Sequence, residues 1–71
     1  MADTVARLAA DVKARRAGLS LGQEELAELS GVSVRFIRNL EQGKATVRLD
    51  KVSAVLDVLG LELRTGLRGH R

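Results

Sequence analysis

Cysteine, proline, tryptophan and tyrosine are absent from this 71-residue chain, and phenylalanine occurs once. Without cysteine there is no disulfide, and the lone His70 cannot build a metal site with no thiolate beside it. With a single aromatic side chain, the core has to be aliphatic. No apolar run approaches the roughly 20 residues that span a bilayer, and the N-terminus carries no signal-peptide apolar segment. A soluble, cytoplasmic protein is expected, and the missing cysteine fits a reducing compartment. A nucleophile–base pair is missing as well, because the only imidazole sits one residue from the C-terminus. Glu24, Glu25 and Glu28 lie on a predicted helix surface, and no Gly-rich phosphate loop follows a strand. No enzymatic activity, cofactor or metal is expected.

A chain this short is one domain, close to the lower limit for folding alone. Disulfide and metal staples are excluded, so oligomerisation is the expected supplement. The net charge is +3, and its distribution says more than its size. Residues 1–30 contribute −1, residues 31–48 contribute +3 and residues 49–71 contribute +1. The positive excess therefore sits on Arg35, Arg38, Lys44 and Arg48, in one element and the loop after it. A basic stripe so confined is the electrostatic footprint of nucleic-acid binding, although on charge alone a solvated helix face fits equally.

The periodicity predicts four or five short helices. The first runs from about Asp3 or Thr4, either of which can cap it, to Ala17. Val5, Leu8, Ala9, Val12 and Arg16 fall on one face, and Gly18 stops it. A connector over Leu19–Leu21 leads to a second helix, Gln23 to Ser30, with Leu26, Ala27 and Leu29 inward and Glu24 and Glu25 at its positive end. Gly31 fits a left-handed turn, and Ser33 caps a third helix from Val34 to about Gln42. The buried side of that helix is Ile37 and Leu40, with Phe36 partly covered, and Gly43 ends it. Helix, glycine turn and helix over some twenty residues form the supersecondary unit that places a recognition helix in the DNA major groove. A fourth helix, Leu49 to Leu59, turns Leu49, Val52, Val55, Leu56 and Leu59 inward and stops at Gly60.

After Gly60 the period changes. Leu61-Glu62-Leu63-Arg64-Thr65 alternates apolar and polar, as a half-buried strand does. A lone strand needs a mate, and the same strand of a second subunit would supply one in a two-fold dimer. The other reading is an irregular tail. The expected division is a DNA-binding domain over 1–60, a dimerisation strand over 61–65 with Leu61, Leu63 and Thr65 at its face, and a flexible basic tail over 66–71.

Gln23-Glu24-Glu25-Leu26-Ala27, Gly31-Val32-Ser33, Phe36-Ile37 and Leu40-Glu41-Gln42-Gly43-Lys44 together resemble the Xre/Cro/phage-repressor helix-turn-helix family over roughly Ala6 to Leu59. With Thr46-Val47-Arg48-Leu49-Asp50 and the terminal alternation, the chain is further similar to HipB-type antitoxins. The resemblance implies an all-α, lambda-repressor-like fold with a short C-terminal β-strand paired across a homodimer. It also implies an ion pair between Arg16 and Glu41, which suits an arginine on the buried face of its helix.

Carried over residue by residue, the resemblance implies that Gln23 meets a phosphate at a helix N-terminus. Ser33, Val34 and Arg35 then open the recognition helix. Arg35 is the candidate for a bidentate guanine contact, Asn39 for adenine or a phosphate, and Arg38 for a base or the flanking backbone. Lys44, Thr46 and Arg48 would hold phosphates. Gly22 stands where the family places Thr or Ser, and Val34 where many relatives place Gln or Arg. Valine can touch a thymine methyl and cannot hydrogen-bond. The function so implied is a sequence-specific repressor on a palindromic operator, the autoregulating antitoxin of a HipA-like kinase toxin. The alternatives are a stand-alone regulator without a toxin, or a purely protein-binding helical module.

Overall fold

The computed structural model describes residues 2–68. It contains four α-helices: α1 Ala2–Gly18, α2 Gln23–Ser30, α3 Val34–Glu41 and α4 Leu49–Leu59. α2 packs on α3 and α4, and α1 packs on the same two helices. Among the described residues no helix is long and apolar enough to cross a membrane.

The core is wholly aliphatic. Ala9 and Val12 of α1, Leu26 and Ala27 of α2, Ile37 and Leu40 of α3, and Val52, Val55, Leu56 and Leu59 of α4 are buried. Phe36 only packs at the edge, with Leu8, Leu21, Val32, Val34, Val47, Val58 and Leu61. Lys51 Nζ stands 6.0 Å from the centre of the Phe36 ring.

Three helices end alike. Val32 N–H reaches back to Ala27 O at 3.0 Å, Lys44 N–H to Asn39 O at 3.0 Å, and Leu61 N–H to Leu56 O at 2.9 Å. Each closure needs a left-handed residue just before the donor, and Gly31, Gly43 and Gly60 supply it with φ of 74°, 78° and 71°. α1 ends at Gly18, within one residue of the expected stop, but its closure is built differently. Gly18 belongs to its last turn, and the chain reverses two residues later at Ser20, with φ 58°. Leu21 N–H then bonds Arg16 O at 3.1 Å, the same closure built on a residue with a Cβ. Leu19 N–H bonds Arg15 O at 3.0 Å, which brings Gly18 into the last turn. α1 also begins earlier than expected, so Thr4 lies within it; the Asp3 side chain lies outside the described residues.

Two apolar positions face water instead of the core. Leu29 is 62% exposed and Leu49 is 68% exposed. The inward side of α2 is shared by Gln23, Leu26, Ala27 and Ser30, and Leu29 lies about 110° round the helix from its centre. Leu49 opens α4 a full turn before its first core residue, Val52.

Residues 61–68 carry no strand. A strand is a ladder of interchain or interstrand hydrogen bonds, and a single copy of this chain offers Leu61–Thr65 no second extended segment. Leu61 still packs against the core, whereas Leu63, Thr65, Gly66, Leu67 and Arg68 are exposed. The rest of the expected basic tail, residues 69–71, lies outside the described residues.

Candidate nucleic-acid interface

Two consecutive arginines at the end of α1 tie the other helices to it. Arg15 Nε donates to Leu59 O at 2.8 Å and so caps the last turn of α4. Arg16 turns the other way. Its Nε meets Glu41 Oε2 at 2.6 Å, its Nη2 meets Glu41 Oε1 at 3.0 Å, and its Nη1 meets Leu21 O at 2.9 Å. Gln23 Nε2 adds a third donor to the same carboxylate, at 3.1 Å from Oε1. The C-terminal turn of α3 is thus fastened to the end of α1 and the start of α2.

Burial pushes the Glu41 carboxyl upward. Hydrogen bonds from Arg16 and Gln23, with the positive charges of Arg16 and Lys13, outweigh it and hold the group below the usual carboxylate range. The same hydrogen bond raises the Arg16 guanidinium further against its own desolvation.

This anchoring sets the roll of α3. Ser33 Oγ accepts from Phe36 N–H at 3.0 Å and caps the helix. Ile37 and Leu40 are buried, so Arg35 and Arg38 project on the opposite side and are exposed. Neither they nor Lys44 forms an ion pair among the described residues. At the start of α2, Gly22 has no side chain to cap with, yet Glu25 reaches back to its N–H at 2.8 Å. That satisfies half of a capping box and leaves the first-turn N–H groups of α2 without intrahelical partners. Val34 and Arg38 of α3, with Gly22, Gln23, Glu24 and Glu25, line a groove of about 390 Å³ between the two helices.

A helix-turn-helix family model, HTH_3, matches residues 12–65. The chain belongs to the helix-turn-helix family. It is also 41% identical over 68 residues to a Sinorhizobium fredii protein, the uncharacterized HTH-type transcriptional regulator y4mF, covering 96% of this chain and 90% of that one.

Within this helix-turn-helix domain the expected site residues are not all alike. Ser33, Arg35, Arg38, Lys44 and Thr46 are exposed, while Gln23, Val34 and Asn39 are half-buried. Gln23 spends its amide N–H on Glu41. Arg48 is exposed but engaged: its Nη2 and Nε hold Asp50 at 2.6 and 3.1 Å, and this bond keeps the Asp50 carboxyl below its ordinary value. Sequence reasoning passed over Gln42. It is exposed, one turn beyond Arg38 and two beyond Arg35, and extends their row to the end of α3. The 35, 38, 42 spacing carried that signal.

Proposed function

We propose that this chain is a sequence-specific DNA-binding transcriptional repressor that acts as a dimer on a palindromic operator. The row of Arg35, Arg38 and Gln42, directed away from the core, carries this reading, with neither arginine in an ion pair among the described residues. Its family and the name of its relative as a transcriptional regulator support it.

In this reading the first turn of α3 enters the major groove. Arg35 takes guanine in a bidentate contact, Val34 packs on a thymine methyl, and Asn39 and Arg38 reach a neighbouring base or phosphate. The open N–H groups of α2 at Gln23 meet a phosphate, which explains why the Gln23 side chain can be committed to Glu41. Lys44 and Thr46 add backbone contacts, and Arg48 does so by exchanging Asp50 for a phosphate. Dimerisation through Leu61–Thr65 places two α3 helices one helical turn apart, about 34 Å, or a multiple of it.

The finer role is that of an autoregulating antitoxin with a HipA-like kinase toxin as protein partner, supported by the resemblance over Thr46–Asp50 and Leu61–Thr65. A kinase-like reading frame beside the gene, whose product co-purifies with this chain, is then expected. Its absence leaves the stand-alone regulator. The DNA-binding reading is tested with Arg35→Ala and Asn39→Ala variants. Each should keep its helical circular dichroism and lose preference for the DNA upstream of its gene. Unchanged binding would make the motif a scaffold for a protein-binding module.

A further inference from the structure

Resting on the dimer reading above, we propose that the C-terminal segment recognises a second copy of this chain in one register, antiparallel with the two-fold axis through Leu63. In that register Leu63 faces Leu63 of the other copy, Leu61 faces Thr65, and Glu62 faces Arg64.

Charge complementarity selects this register. Glu62 and Arg64 lie on one side of the segment, their charged groups 3.7 Å apart and largely exposed. Leu61 and Leu63, together with Glu62 and Arg64, line a groove of about 350 Å³ against Leu8 and Asp11 of α1. Leu63 is still 49% exposed there. An axis through Leu63 sets each glutamate against the other copy's arginine twice over, with the leucines together on the opposite face. Moving the axis to Glu62 opposes two glutamates, and moving it to Arg64 opposes two arginines, both destabilising across a strand pair. An axis between residues mixes the two faces. The glycines agree: the register pairs Gly60, where the α4 closure ends, with Gly66.

The hydrogen-bond phase follows from an observed bond. Leu61 N–H is already given to Leu56 O at 2.9 Å, so the Leu61–Thr65 position has to be a non-hydrogen-bonded pair. Antiparallel pairs alternate, so Glu62–Arg64 becomes the hydrogen-bonded pair on both sides of the axis, and Leu63–Leu63 is again non-hydrogen-bonded. There the two Cα atoms approach to about 4.5 Å, within reach of a disulfide.

The chain has no cysteine, so three single variants of the full chain, Glu62→Cys, Leu63→Cys and Arg64→Cys, read the axis directly in a glutathione redox buffer. Leu63→Cys should cross-link to a covalent dimer far faster than the other two. In parallel, Glu62→Arg and Arg64→Glu should each weaken dimerisation about ten-fold, and the double exchange should restore it, since two cross-strand pairs change sign and then recover. Faster cross-linking at 62 or 64, none at any of the three, or no restoration by the double exchange would overturn the register while leaving a dimer in place. A wild-type chain that sediments as a monomer at micromolar concentration would remove the dimer and the register with it.

Discussion

Arg16 and Glu41 form a two-pronged ion pair between α1 and α3, with Arg16 Nε 2.6 Å from Glu41 Oε2 and side chains only 15% and 4% exposed. The pair joins the end of the helix that does not touch the proposed DNA face to the end of the helix that does. Its strength therefore bears on where Arg35 and Arg38 point.

Glu41→Ala should cost about 2–4 kcal/mol of unfolding free energy, because it strands a mostly covered guanidinium and the Gln23 amide. Urea unfolding measures this. The pair should also be sensitive to acid. Glu41 titrates below its unfolded value, so its contribution is fully present above the ordinary carboxylate range and is lost as pH falls through its folded-state value. The gap in stability between wild type and Glu41→Gln should be constant from pH 6 to 8 and should close as the pH drops below about 4. A gap independent of pH would mean that Glu41 is not held as a carboxylate.

Ser20→Gly should stabilise the domain by about 0.5–1 kcal/mol. Ser20 occupies the left-handed position that closes α1, where a Cβ is unfavourable and glycine is not. No hydrogen bond of the Ser20 side chain is lost, since only its backbone N–H is engaged, with Ala17 O at 3.0 Å. Thermal unfolding would show the gain as a higher Tm.

Leu26→Ala and Leu29→Ala should differ sharply although the residues share a helix. Leu26 is fully buried, and its truncation should cost about 2–5 kcal/mol. Leu29 is 62% exposed, and its loss should stay within about 0.5 kcal/mol. Equal costs would put Leu29 back in the core.

Much of this architecture is legible in the sequence. The periods around Val12, Ile37, Leu40, Val55 and Leu59 locate the core, and Gly31, Gly43 and Gly60 mark three helix ends because the turn that closes a helix favours glycine there. The failures have physical reasons. Gly18 marks the end of α1 to within a residue, but the left-handed position that closes the turn falls on Ser20, which no glycine announces. Leu29 and Leu49 are apolar, but hydrophobicity does not state the angle of a side chain about its helix or where the helix overhangs the core. The Leu61–Thr65 alternation reads as a strand, but a strand exists only where it is paired, and the described residues give these five no paired neighbour. At the candidate interface, Arg16 with Glu41 and the Ser33 cap appeared as expected. The bonds from Gln23 to Glu41 and from Arg48 to Asp50 depend on tertiary placement and local rotamers, which spacing does not encode.

Arg35→Ala and Lys44→Ala should fail in different ways. Loss of Arg35 should remove about 1–3 kcal/mol of preference for one base pair and relax specificity at that position. Loss of Lys44 should weaken binding to every sequence alike and reduce the salt slope by about one. Competition with single-base operator variants separates the two. If Arg35→Ala lost affinity uniformly, Arg35 would be a phosphate contact instead.

The most direct measurement is a salt series of binding to the DNA upstream of the gene and to a scrambled duplex, by fluorescence anisotropy with the oligomeric state followed in the same samples. A dimeric complex that prefers the upstream DNA by about 10³-fold or more, and weakens steeply as salt rises, is the expected result. Equally weak binding to both duplexes at every salt concentration would contradict a DNA-reading repressor.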